Sequence, residues 1–209
     1  MNLSIQEFWQ QTLAIWSSGG WAMFALAADA FIIFYMGMSI FSRIRSKGYL
    51  YVSEKKMKRW VKAPETGRGP VGKMIRFVMG ARTLDEIGIF FDELNQTEIA
   101  PINRDLKVMQ TCVSIAPLMG LLGTVTGMLS TFAALAGGSG GDKTMGMVAG
   151  GISEALITTE TGLLIALPGL IFQYKLAREH AQYKAFLAHL QTVCSQRMYK
   201  ESLKAGKAA

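Results

Sequence analysis

The chain has 209 residues, half of them hydrophobic and only 18% charged, against roughly a quarter charged in ordinary soluble domains. That deficit points to lipid, and the two cysteines, Cys112 and Cys194, form neither a disulfide framework nor a paired Cys/His zinc spacing, so redox and metal chemistry drop out. The net charge of +7 is unevenly placed: residues 1–42 hold no Lys or Arg, 43–107 hold 14, 108–174 hold only Lys143, and 175–209 hold 7.

Residues 1–20 carry Ile5, Phe8, Trp9, Leu13 and Trp16 at helical spacing, which predicts an amphipathic helix lying along the outer interface. Trp9, Trp16 and Trp21 then belong to an aromatic belt. Ala25-Leu26-Ala27 looks like a signal cleavage site, but no positive n-region precedes it, so the segment reads as uncleaved. Residues 21–43 form the first predicted span, since about 20 apolar residues cross a hydrocarbon core. Asp29 is its one acidic residue and reads either as interhelical glue or as a functional carboxylate.

Residues 44–107 form a basic loop containing helices. Basic stretches that abut hydrophobic spans are what the positive-inside rule expects of cytoplasmic segments, and this displaces a nucleic-acid reading of the charge. Helices are expected over 51–62, 73–80 and 83–95, with a break at 64–72, where two prolines and three glycines fall together. Gly69-Pro70-Val71-Gly72-Lys73-Met74 lacks the spacing and the Ser/Thr of a phosphate-binding loop.

The second span covers 108–136, a short outer turn 137–144, the third span 145–174, and a basic cytoplasmic tail 175–209, whose His180 and His189 read as solvated surface. In the second span Gly120, Thr124, Gly127, Thr131 and Ala134 recur at four and three, giving one small, hydroxylated face. Gly123 and Gly127 are also a small-xxx-small pair suited to plain helix packing, and Pro117 should bend the helix. The third span has its own small stripe, Ala155, Thr159, Gly162 and Ala166, beside a polar face of Glu154, Thr158 and Thr161. A carboxylate at mid-span costs on the order of 2.5–3.5 kcal/mol, so Glu154 and Glu160 should face a bundle interior or water. The residues alone fit either a path for ions or protons or a passive scaffold whose small stripes only pack.

Ile115-Ala116-Pro117-Leu118-Met119-Gly120-Leu121-Leu122-Gly123-Thr124-Val125-Thr126-Gly127-Met128 resembles the signature of the MotA/TolQ/ExbB proton-channel family. Gly151-Ile152-Ser153-Glu154-Ala155-Leu156-Ile157-Thr158-Thr159-Glu160-Thr161-Gly162-Leu163, ending in Ala166-Leu167-Pro168-Gly169, is similar to its third-span motif. Three spans and this length resemble the ExbB/TolQ branch more than MotA.

The resemblance implies an all-α, multi-pass protein of the bacterial inner membrane, N-terminus periplasmic and C-terminus cytoplasmic, with long helical extensions into the cytoplasm. It implies a homo-oligomer, a pentamer, whose second and third helices surround a pore holding the single-span helices of an ExbD/TolR-type partner. No cofactor, metal or enzymatic activity is expected. By resemblance the partner supplies a proton-carrying Asp; Thr124 and Thr159 hydrogen-bond it or its water, and Glu154 lines the lumen. Proton motive force then drives a TonB-type protein and outer-membrane import, or, in a TolQ-like role, envelope maintenance. Asp29 and Glu160 depart from the familiar pattern as additional intramembrane carboxylates. Glu154 and Thr159 also stand about 140° apart on an ideal helix, so sharing one lumen requires distortion or a second subunit.

Overall fold

The computed structural model describes residues 10, 16, 19–49, 52–81, 83–137 and 141–206. Most of the expected outer helix over 1–20, and residues 138–140 of the outer turn, lie outside them. The regular elements are helical: α1 Gly20–Ser46, α2 Glu54–Lys62, a 3-10 turn Pro64–Thr66, α3 Gly69–Val78, α4 Leu84–Leu94, a π turn Asn95–Ile99, α5 Ala100–Gly137 and α6 Asp142–Gly206. α1, α5 and α6 contain stretches long and apolar enough to cross a membrane. α6 has 65 residues, where about 20 suffice for a span.

The chain divides into two compact units, one of Met1–Gly37 with Val108–Gln173, the other of Met38–Lys107 with Tyr174–Ala209. In the first, contacts fix the helix directions. Gly20 lies against Glu154 and Gly37 against Phe172, so α1 and α6 run parallel; Gly127 meets Gly151 and Gly162 meets Ala116, so α5 runs antiparallel to both. The chain therefore leaves α1 and α6 at the same end of this unit, and enters α5 there. One edge-to-face pair, Trp16 with Phe24 at 6.2 Å between centroids, is described near the other end. Phe24, Phe31 and Phe34 of α1 and Leu118, Leu121 and Leu129 of α5 point outward, each more than half exposed. An apolar surface of that kind requires lipid or other chains around it.

In the second unit, Met57 and Val61 of α2, Val71, Ile75 and Val78 of α3, and Ile87 and Phe91 of α4 supply buried faces. Thr83 caps α4 by accepting from the Glu86 amide at 3.2 Å, the Thr-x-x-Glu pattern of a helix start. Arg43 Nη1 donates to Asp105 Oδ2 at 2.7 Å, Lys47 pairs with Glu98, and the Tyr49 hydroxyl donates to the Glu179 carbonyl at 3.0 Å.

Two sequence expectations are corrected here. The helix break is shorter than 64–72, because α3 already begins at Gly69. Proline in a first turn gives up an N–H that has no partner anyway, and Gly72 passes so close to the Gly67 backbone that a Cβ there would overlap it. His180 is not solvated surface: it is 5% exposed, within a buried stripe of Leu176, His180, Tyr183, Leu187, Leu190 and Cys194. Those positions alternate by four and three, the period of a helix seam, and the imidazole meets the Ile99 carbonyl of the π turn. Burial, with Lys184 nearby, pushes the His180 pKa down. Burial likewise pushes the Cys194 thiol up to about 12. His189, by contrast, is exposed.

Candidate functional site

The site is built where the small faces of α5 and α6 meet. A Cβ on Gly120 would fall 2.9 Å from the Thr158 carbonyl, one on Gly127 2.7 Å from that of Gly151, and one on Gly162 2.7 Å from that of Ala116. Gly123 faces the fully buried Thr158 side chain in the same way. Close backbone approach is what small residues give helices in lipid, where packing rather than water drives association. The glycine face read from the sequence is thus covered by the chain's own third span. Thr131 is buried with it, and Thr158, which the sequence groups with Glu154 and Thr161, sits inside this contact.

Thr124 and Thr159 lie at the margin of the packed face, each partly exposed. The Thr124 hydroxyl donates to the Leu121 carbonyl at 2.6 Å. That of Thr159 reaches the Ala155 carbonyl at 3.1 Å and, across the contact, the Gly120 carbonyl at 3.3 Å. Gly120 is one turn from Thr124, so the two hydroxyls lie within about a turn of each other along the bundle. A hydroxyl has one proton and two lone pairs. With the proton given to a backbone carbonyl, each threonine presents acceptor capacity to whatever approaches.

Glu154 is half-buried, its Oε1 against Gly20, whose φ of +61° is one a side chain resists. Glu160 is exposed on another side of α6. Asp29 is separate from all of these. It is 8% exposed in the buried face of α1, the Cys112 thiol of α5 hydrogen-bonds its carboxyl, and Oδ2 is buried with no partner. The structure therefore sets Thr159 against the α5 backbone one turn before Thr124, places Glu154 beside the start of α1, and leaves Asp29 and Glu160 apart. Among the described residues no three His, Cys, Asp or Glu side chains gather as metal ligands.

Three long apolar helices with hydroxyl and carboxyl groups along them fit a polytopic membrane protein. Residues 79–188 match the MotA/TolQ/ExbB proton channel family. The chain belongs to that family. It is 36% identical over 132 residues to a putative biopolymer transport protein, ExbB-like 1, of Synechocystis sp., covering 62% of this chain and 47% of that protein. It is 39% identical over 80 residues to the Tol-Pal system protein TolQ of Haemophilus influenzae, 38% of this chain and 34% of that one. With the biopolymer transport protein ExbB of Pseudomonas putida it shares 40% over 78 residues, 37% and 23% of the two chains. The chain spans less than half the length of each of these relatives.

Proposed function

We propose that the chain is an ExbB-like channel subunit of an inner-membrane motor that uses proton motive force to energise TonB-dependent import. It works as a homo-oligomer, a pentamer, around an ExbD/TolR-type single-span partner. α1, α5 and α6 cross the bilayer over about 21–43, 108–136 and 145–174, leaving 44–107 and 175–209 in the cytoplasm. What supports this sidedness is the common end at which α1 and α6 leave the bundle, together with the 14 and 7 basic residues that follow.

The observation that carries the reading is the pair of back-bonded threonines. Because the hydroxyls of Thr124 and Thr159 donate to backbone carbonyls, they receive a hydrogen bond from a protonated partner carboxyl better than they serve a carboxylate. They stabilise the neutral, proton-loaded state in the apolar interior, where the charged form is expensive. Glu154 lines the lumen and exchanges protons with its water. Asp29, held against Cys112 within one chain, is a helix contact, and Glu160 a secondary carboxyl on the outer face. One proton crossing 100 mV releases about 2.3 kcal/mol, so a few translocations suffice for a conformational stroke.

Replacing Thr124 or Thr159 by Val keeps the volume and removes the acceptor; assembly should survive while partner-dependent proton flux into vesicles falls, with Ser retaining it. Full flux in both assembled Val variants overturns the role. A TolQ-like part in envelope maintenance is the second reading, favoured by the TolQ match. Complementation separates the two: rescue of a TonB-dependent uptake defect supports import, whereas rescue of detergent sensitivity alone supports the envelope role.

A further inference from the structure

In the second unit, α2 and the last turns of α6 wall a cavity of about 430 Å³, within the range that binds small ligands and peptide side chains. Val61 and Val193 provide apolar lining. Lys58, Lys62, Arg197 and Lys200 stand around it, against one lining carboxylate, Glu201. Part of this charge is matched, since Lys58 Nζ lies 2.5 Å from Glu54 Oε1 and Arg197 Nε 2.8 Å from Glu201 Oε1. Lys62 and Lys200 have no ion pair among the described residues. Arg197 Nη1 is buried with no hydrogen-bond partner. A guanidinium N–H without an acceptor, beside two unmatched ammonium groups, is an arrangement that an anion completes.

The spacing selects the kind of anion. Lys58 and Lys62 are one turn apart on α2, as are Gln196 and Lys200 on α6, so polar groups recur about every 6 Å along both walls. Such rows match carboxylates carried along a chain, with an apolar side chain between them for the valines, better than one compact phosphate. We infer that this groove binds an acidic segment of a protein chain that carries an apolar side chain among its carboxylates. The inference rests on the proposed topology only for the side of the membrane on which that segment is met.

The test uses the full-length protein in detergent micelles, where both sides are open and sidedness is irrelevant, so its failure is distinct from failure of the topology. A fluorescein-labelled peptide of alternating Glu and Leu is titrated by anisotropy. Charge reversal at Lys62 and Lys200 together should weaken binding at least about tenfold. The matched reversal of Lys55 and Lys56, which alters net charge equally but lies on α2 outside the groove, should change it less than about twofold. Conservative Lys62→Arg with Lys200→Arg should restore binding. Absence of peptide binding, equal losses in the two reversals, or displacement of the peptide by phosphatidylglycerol vesicles or inorganic polyphosphate as effectively as by unlabelled peptide, each overturns the assignment.

Discussion

Glu154 and Glu160 share a helix and a chemistry, and differ in surroundings. Glu154 is half-buried beside Gly20, whereas Glu160 is open on another side of α6. Gln preserves the shape and hydrogen bonding of a neutral Glu but cannot carry a proton through a cycle. Glu154→Gln should therefore lower partner-dependent proton flux by about tenfold or more with the oligomer intact on native gels, and Glu160→Gln should be milder. The reverse ranking would move the lumen to the Glu160 side. Glycines allow an equally sharp contrast. An added Cβ at Gly72 meets the Gly67 backbone, whereas at Gly88, inside α4, it meets nothing within 4 Å. Gly72→Ala should cost on the order of 1–3 kcal/mol through forced backbone displacement, and Gly88→Ala should gain up to about 1 kcal/mol from helix propensity. Thermal unfolding in detergent, with the two variants moving in opposite directions, is the check.

At the scale of the element, the extension of α6 beyond its apolar stretch is anchored by a seam that contains His180. Its pKa is lowered by burial and by Lys184, so the unfolded chain takes up a proton first. The stability it contributes is whole above the unfolded value of about 6.5 and is lost as pH falls through that value toward the folded one. Cys194 and the buried Tyr183 within the seam, with Glu98, paired with Lys47, and Tyr49 beside Tyr183, are further ionisable groups there. Unfolding followed between about pH 7.5 and 5 should show a loss on acidification that is smaller in His180→Asn, whose amide can replace the imidazole N–H; identical slopes would remove His180 from the account. The seam was readable, since Leu176, His180, Tyr183, Leu187, Leu190 and Cys194 alternate by four and three. It was masked because Ala181, Ala185, Phe186, Ala188 and Val193 between the seam positions blur the apolar period and a histidine is usually placed outside. The short spacer before α3 was hidden for another reason: Gly and Pro mark breaks by composition, yet Pro70 begins a helix and Gly72 serves a close approach.

For the whole molecule, the spans and their small faces were legible because apolar length and four-three spacing are local properties of the chain. Which side of a small face meets which neighbour is not local. The sequence makes Gly120 and Gly127 available to a partner, and the fold commits them to α6. Sidedness can be tested directly. Single cysteines at Ser4, Ser53, Ser139 and Ser202, in a Cys112→Ala background, are exposed to an impermeant maleimide in intact cells. Cys194 needs no replacement, being fully buried with a thiol pushed up to about 12. Labelling is expected at Ser4 and Ser139 only, and labelling at Ser53 would invert the arrangement.

The π turn at Asn95–Ile99 sets a phase. Eight steps separate buried Phe91 from buried Ile99, and in an uninterrupted α-helix that count would carry Ile99 about 80° off the line of Phe91. A π turn absorbs one residue, so eight steps rotate like seven and the mismatch falls to about 20°. Ile99 thereby reaches the position where its carbonyl meets His180, with Ile102 and Leu106 in line behind it. This stretch consequently counts residues. Deleting Gln96 should relax the turn to plain α-helix with little change in α4 or α5 themselves. Inserting one residue has no comparable remedy, because a further step would rotate Ile102 and Leu106 by about 100° away from their buried positions.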